Sequence, residues 1–342
     1  MSQKPVFSVI IPCYRAAKTL PRAVASVLAG APDALEVLLI DDGSPDETPA
    51  VCDALAAQDP RVRALHRPNG GAAAARNTGL DAAAGKWVLF VDADDELLPG
   101  LWDALPSALA AAPGMILFGL TRQSGPAPCP LAPGVFPRLA DVGAALEPLL
   151  FESGYLAAPY PKLFNAAALR QAGVRFNEAL AVNEDVLFNL DFLFFSQMTP
   201  AIYCLPGVYY KQNDQAAGSL SRRLRGDLLD AEAVTRPALD RLLRKEGLPD
   251  AQREALLTKS RVRAALNQYG LLTGRAGRMA LQTRRALFAR ILSDADARAA
   301  LRAQLRADPN RLAALPYRLG AALNAPGLLA AYTAAKNRLL RA

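Results

Sequence analysis

GKWVLFVDADDE, residues 85–96, is the stretch on which the fold turns. Trp87 to Val91 run without polar interruption, the pattern of a strand buried on both faces of a parallel sheet. Asp92, Asp94 and Asp95 stand at its carboxyl end, with Glu96 next. In an open α/β sheet, ligands bind beyond the carboxyl ends of the strands. Carboxylates placed there can hold a hard divalent cation, and the cation can hold a diphosphate. Asp94 or Asp95 can equally cap a helix starting near Leu97, although three carboxylates in four positions exceed what a cap needs.

Outward from this strand the same alternation continues. Phe7–Ile11 reads as a first strand with Pro12-Cys13-Tyr14 as its exit, and Lys18–Leu28 as a helix. Glu36–Ile40 is a second strand ending in Asp41-Asp42-Gly43-Ser44, Thr48–Ala57 a helix, and Val62–Leu65 a third strand. Asn69-Gly70-Gly71 leads through a helix carrying Arg76 into Trp87. Strand–helix alternation with short loops predicts an α/β fold with a doubly wound, mainly parallel, Rossmann-like sheet. Further on, Gly114–Leu120 reads as a strand, Ser124–Pro137 as a loop, and Ala166–Gln171 as a helix. Asn183-Glu184-Asp185 opens a helix through Phe195, and Val208–Lys211 forms a strand. Beyond Arg222 the chain is Ala/Leu/Arg-rich at helical spacing, which predicts a C-terminal α-helical extension of four to six helices. The expected division is 1–221 and 222–342.

Composition bounds the function. Of 342 residues 52% are apolar, enough for a sizeable core, and no run approaches the ~20 apolar residues of a membrane span. The apolar run Val6–Ile11 is too short for a signal-peptide core. Cys13, Cys52, Cys129 and Cys204 form no CxxC pair, as expected of reduced cysteines in a cytoplasmic protein. Net charge is +7, unevenly spread. Up to Ser221, 15 Lys+Arg face 22 Asp+Glu, giving −7; from Arg222 on, 24 face 10, giving +14. An acidic first part suits a metal-dependent site, and a basic second part suits an anionic surface.

The motifs VIIPCY, LLIDDGSPD, NGGAAAARNTGL, FVDADD, PKLF and NED, in that order, resemble the inverting family-2 glycosyltransferases of the GT-A fold. The chain is especially similar to bacterial members that build lipopolysaccharide, capsule or other surface glycans. The resemblance covers roughly Val6 to Ser221. It implies a nucleoside-diphosphate sugar donor, a UDP-sugar, and a Mn²⁺ or Mg²⁺ ion. It implies that Pro12 and Tyr14 border the base, with the tyrosine ring stacked on it, and that Asp41 accepts a hydrogen bond from the uracil imide. Asp42 and Ser44 would shape the turn, and Arg76 would contact the pyrophosphate through its planar fork. Asp94 is implied as metal ligand, with Asp92 on the ribose or on metal-bound water. Asp185 is implied as the base that deprotonates the acceptor hydroxyl, with Glu184 as second choice. The tract Tyr209–Asn213 through Ser219-Leu220-Ser221 is similar to the segment that closes over the diphosphate. Lys162 matches a family lysine, although Tyr160-Pro161 replaces the usual Trp and its neighbour.

Bland alternatives stand beside these roles. Tyr14 can be ordinary packing, Arg76 a solvated helix arginine, and Glu184-Asp185 an acidic helix N-terminus. Asn69-Gly70-Gly71 lacks the GxGxxG fingerprint and the Walker lysine, so it is not a phosphate loop. The lone His66 reads as structural. Two other functions are open: a sugar-nucleotide-forming nucleotidyltransferase, and a non-catalytic nucleotide-sugar-binding module. The first expects a Gly-rich basic loop after strand one, where this chain has Pro12-Cys-Tyr-Arg-Ala-Ala. For the basic region, no nucleic-acid motif accompanies the arginines. The expected partner is a glycan or lipid-linked acceptor at the inner face of the cell membrane. Peripheral contact with anionic lipid is expected there, with Leu328–Arg341 lying in the interface.

Overall fold

A computed structural model describes residues 4–152, 155–198, 201–213, 228–273, 279–307 and 311–339. Two compact units result, one from Met1–Ala217 with Arg241–Leu248, the other from Gly218–Asp240 with Pro249–Ala342.

The first unit is a sheet flanked by helices. Its strands are β1 (Phe7–Cys13), β2 (Leu35–Asp41), β3 (Val62–His66), β4 (Trp87–Phe90), β5 (Glu96–Leu97), β6 (Met115–Arg122), β7 (Gly125–Ala127), β8 (Gly134–Phe136), β9 (Lys162–Asn165) and β10 (Ile202–Lys211). The order is β3-β2-β1-β4-β9-β6-β10-β5, with β7 on β6 and β8 on β10. β1, β2, β3, β4, β6 and β10 run one way, and the short β5, β7, β8 and β9 run against them. β2 and β4 are buried throughout, and β1 at every residue but Pro12. That is why they read as continuous apolar runs. The helices are α1 (Leu20–Leu28), α2 (Thr48–Gln58), α3 (Ala72–Ala82), α4 (Leu101–Ala110), α5 (Ala166–Ala172) and α6 (Glu184–Phe195).

Two local expectations change. The helix expected near Leu97 begins at Leu101, because Pro99-Gly100 intervenes and Gly100 takes φ 89° as its N-cap. Glu96 and Leu97 instead pair with Lys211 and Tyr210 of β10. Asp94 and Asp95 therefore cap no helix. The 124–137 loop contains β7 and β8, each of three residues and too short to show a period.

α3 lies so close to β1 that a Cβ on Gly79 would overlap Cγ2 of the fully buried Ile10. Because Ile10 is β-branched and sits mid-sheet, it has little room to give. Gly79→Ala is expected to destabilise the protein by about 1–3 kcal/mol despite alanine's better helix propensity. A thermal midpoint equal to wild type would show that the helix shifts without cost.

The stretch Arg241–Leu248 belongs to the first unit. Arg241 pairs with Asp191 at 3.0 Å. Lys245 Nζ donates to the carbonyls of Leu193 (3.1 Å), Phe194 (2.6 Å) and Ser196 (3.1 Å), the open carbonyls that end α6.

The second unit is helical: α7 (Leu228–Lys245) contributes its first part, followed by α8 (Asp250–Thr273), α9 (Leu281–Ser293), α10 (Ala295–Ala307), α11 (Arg311–Ala322) and α12 (Pro326–Leu339). Its core gathers Tyr269, Phe288, Leu301, Tyr317 and Leu329. No helix among the described residues is long and apolar enough to cross a membrane.

Candidate active site

Register brings the predicted donor residues together. Cys13 of β1 faces Asp41 of β2, Asp41 faces His66 of β3, and Ile10 faces Phe90 of β4. Pro12, Tyr14, Asp41, Asp42 and Asp92 therefore share the carboxyl edge of four adjacent parallel strands. Tyr14 is 43% exposed just beyond β1, and the Arg15 guanidinium lies 5.5 Å from its ring centroid. Asp41 is buried. One oxygen accepts Ser44 N–H at 3.1 Å, and the other lies 3.2 Å from His66 Nδ1. His66 Nε2 lies 3.0 Å from Asp53, and hydrogen bonds to Asp53 and Asp41 raise the imidazole pKa. Asp42 accepts the N–H groups of Gly70 (3.0 Å) and Gly71 (2.7 Å) and pairs with Arg67. The Asn69-Gly70-Gly71 loop thus spends its donors on Asp42.

Arg76, on α3, is the hub. Its side chain is 6% exposed, with Nη1 2.9 Å from Asp185 and 3.6 Å from Glu184, and Nη2 3.1 Å from Asp92. Burial pulls its pKa down, but the three carboxylates outweigh burial and hold it above its ordinary value. Both terminal nitrogens thus contact carboxylates, and Arg76 clamps the two acidic motifs together. Next to it, Asn77 pins the segment before α6: Nδ2 donates to Phe176 O (2.9 Å) and Glu178 (2.8 Å), and Oδ1 accepts Phe176 N–H at 2.9 Å. Phe176 stacks on Phe188 of α6 at 4.0 Å, and Phe90 of β4 meets both rings edge-on. This cluster sets the N-terminus of α6, hence Glu184 and Asp185, against the end of β4. Burial pushes the Asp185 carboxyl up to about 7 against the pull of Arg76, with Glu184 adding to the rise.

Asp94 and Asp95 differ in their surroundings. Asp95 accepts Tyr210 O–H at 2.7 Å and Asn213 N–H at 2.8 Å, and burial, aided by the charge of Asp92, pushes its pKa up to about 8. Asn213 Nδ2 also donates to Asp94 O (3.0 Å) and Glu96 (3.0 Å), while Arg22 donates to Asp94 O (2.9 Å). These bonds fix the turn through Asp95, Glu96 and the Asp94 carbonyl. Burial raises the Asp94 pKa, and the charge of Asp92 raises it further. Among the described residues no group of three His, Cys, Asp or Glu side chains forms a metal site. A magnesium-type ion held by one or two carboxylates and substrate phosphates needs no such cage. The donor set fits: hard oxygens, with the Asp92 and Asp94 carboxylates at the strand end and Glu184 and Asp185 across the Arg76 guanidinium.

Comparison with known proteins identifies the family. The model of Glycosyl transferase family 2 matches residues 8–125. The succinoglycan biosynthesis protein ExoO of Rhizobium meliloti is 31% identical over 252 residues, covering 71% of this chain and 70% of ExoO. The chain belongs to glycosyl transferase family 2. The uncharacterized glycosyltransferase YibD of Escherichia coli is 41% identical over 105 residues, which are 31% of this chain and 30% of YibD. The S. aureus TarS 1–349 crystal structure shares the fold, with a TM-score of 0.62 at 20% identity over 98% of this chain and 92% of that one.

The family-2 site has supports that sequence motifs only touched. Tyr210 and Asn213 fall in the tract similar to the diphosphate-closing segment, yet here they hold the Asp92–Glu96 turn; Tyr210 also stacks on Tyr160 at 4.6 Å. Lys162 is fully buried, and its Nζ donates to the carbonyls of Tyr155, Ala158 and Tyr160. Asn189 Nδ2 donates to Leu156 O (3.2 Å), Ala158 O (2.9 Å) and Asp185 O (2.8 Å). Lys162 thus ties the 155–160 segment to β9, and Asn189 ties it to the first turn of α6. Asn189 was legible in principle, because it stands four residues after Asp185, one helical turn. Ser219 lies outside the described residues.

Proposed function

We propose that this chain is an inverting glycosyltransferase. It would move a sugar from a nucleoside-diphosphate sugar, a UDP-sugar, to a hydroxyl of a glycan or lipid-linked acceptor in cell-surface polysaccharide synthesis. The observation that carries this reading is the single guanidinium of Arg76 joining Asp92, at the strand end, to Asp185, at the start of α6. A strand-end carboxylate for the donor and a separate carboxylate for the acceptor are what inversion requires. Asp185 takes the acceptor proton as the acceptor oxygen bonds to the anomeric carbon, and the bond from that carbon to the diphosphate oxygen breaks on the opposite face. Glu184 is the second choice for that base. Asp94 and Asp92 would hold Mn²⁺ or Mg²⁺, which when bound neutralises charge on the leaving diphosphate. Pro12 and Tyr14 would border the base, and Asp41 has lone pairs left for the uracil imide beyond its two present partners. TarS of S. aureus has been crystallised with UDP and with UDP-GlcNAc, which supports a uridine donor. The +14 balance of residues 222–342 supports peripheral contact with an anionic membrane, where a lipid-linked acceptor would be met.

Incubation with labelled UDP-sugars, Mn²⁺ and a lipid-linked glycan tests the reading. Transfer to acceptor supports it, pyrophosphate release from a nucleoside triphosphate would favour a nucleotidyltransferase, and silence a binding module. Asp94→Asn is expected to lower turnover by at least about tenfold and to abolish the Mn²⁺-dependent part of the thermal shift given by UDP. Near-normal transfer and an unchanged shift would remove Asp94 from the metal site.

A further inference from the structure

α11 is apolar on both sides. Its inner side carries Tyr317 and Ala321, 6% and 0% exposed, in the core of the second unit. At Gly320 it backs onto α12 so tightly that a Cβ would overlap Leu329. Its outer side carries Leu315, Leu319 and Leu323, which are 46%, 49% and 70% exposed. They stand one helical turn apart, and Leu323 N–H donates to Leu319 O at 2.9 Å, so the ladder continues past the helix end. Leu328, in the first turn of α12, is 45% exposed as well. A helix with a buried inner face has no structural need for leucines on the other, and an unpartnered apolar ridge marks an interaction surface.

Charge decides what covers it. Residues 297–342 contain eight Lys+Arg against one acidic residue, Asp308, a balance of +7. Two of these cations flank the ridge: Arg318 lies in sequence beside Leu319, and Arg302 donates to the carbonyls of Ala321 (3.1 Å) and Ala322 (2.9 Å) at the end of α11. A second copy docking through the same ridge would bring two such basic regions together around a two-fold axis, with little acid to answer them. An anionic bilayer answers both features, with headgroup phosphates for the cations and an apolar layer for the leucines. The segment expected to lie in the interface, Leu328–Arg341, is for the most part unsuited, because α12 turns Leu329, Ala330 and Thr333 inward with no exposure.

We infer that the outer ridge of α11, Leu315, Leu319 and Leu323 with Leu328, docks this chain on an anionic lipid surface. The inference rests on the peripheral-membrane reading and adds the face that enters the bilayer. It is tested by co-sedimentation of the full chain with vesicles of phosphatidylcholine containing about one-third phosphatidylglycerol. Wild type is expected to bind these vesicles, and pure phosphatidylcholine far more weakly. Binding should fall as salt rises from about 0.1 M to about 1 M and the screening length shrinks from about 10 Å to about 3 Å. The combined Leu315→Asn, Leu319→Asn and Leu323→Asn variant keeps the net charge and changes only exposed side chains. It is expected to lose on the order of tenfold or more in vesicle affinity. No binding by wild type would overturn the membrane reading together with the ridge. Equal binding by wild type and variant would overturn the ridge alone, leaving the cations as the whole attachment. A wild-type dimer in sedimentation velocity that the variant abolishes, with vesicle binding unchanged, would assign the ridge to a second copy.

Discussion

Asp185→Asn is expected to lower kcat by about 10²–10⁴-fold while leaving UDP affinity nearly unchanged. Asparagine keeps the volume of the side chain and an oxygen for Arg76 Nη1, 2.9 Å away in the wild type, but cannot take a proton from the acceptor hydroxyl. The pH dependence follows from the same group. Burial raises the Asp185 pKa to about 7, and only the ionised carboxylate is a base. The wild-type rate is therefore expected to rise with pH through about 7 and to level off above it, and the asparagine variant should lose that limb. Steady-state kinetics across this range, with UDP titration calorimetry, check both parts. A large loss of UDP affinity would assign the carboxylate to the donor site. A dead Glu184→Gln variant beside an active Asp185→Asn would exchange the two roles.

Arg76→Met is expected to produce the largest loss of stability. It removes the cation that Asp92, Glu184 and Asp185 share and leaves three carboxylates facing one another. Removing one partner of a buried ion pair costs about 3–5 kcal/mol. The carboxylates keep 16–28% exposure, so water offsets part of the repulsion and the lower end of that range is expected. For a chain of this size, about 3 kcal/mol lowers the melting midpoint by roughly 4–6 °C. The sign with pH is fixed: the defect is full where the carboxylates are ionised and shrinks as falling pH protonates them. Thermal melts at two pH values and UDP binding separate the alternatives. A variant that melts like wild type but loses UDP affinity would assign Arg76 to the pyrophosphate contact instead.

Much of the site was legible because its carriers are local. The runs Phe7–Ile11, Glu36–Ile40 and Trp87–Val91 are buried on both faces, so their apolar continuity announces a parallel sheet. Once the sheet is parallel, the carboxylates that close two of those runs must share an edge. Asp185 at the start of α6 was visible too, because a helix onset leaves a pattern in the residues beside it. The antiparallel β9, between β4 and β6, was not visible, since Lys162 and Asn165 leave it an apolar run of only two residues.

What packing alone decided is which distant groups meet. Arg76 finds Asp92 sixteen residues on and Asp185 at a separation of 109, and no spacing rule covers such a distance. Asp94 and Asp95 are chemically alike in the sequence. The structure separates them by giving Asp95 to Tyr210 and Asn213. α11 and α12 are similarly rich in alanine and leucine, yet α12 turns Leu329 into the core while α11 leaves Leu319 outside. The sequence by itself determined the elements, their apolar faces and the acidic ends of the strands, because these depend on neighbours along the chain. The clamp, the perturbed carboxylates and the exposed ridge were decided only by the tertiary structure, because desolvation and ion pairing depend on distance through space.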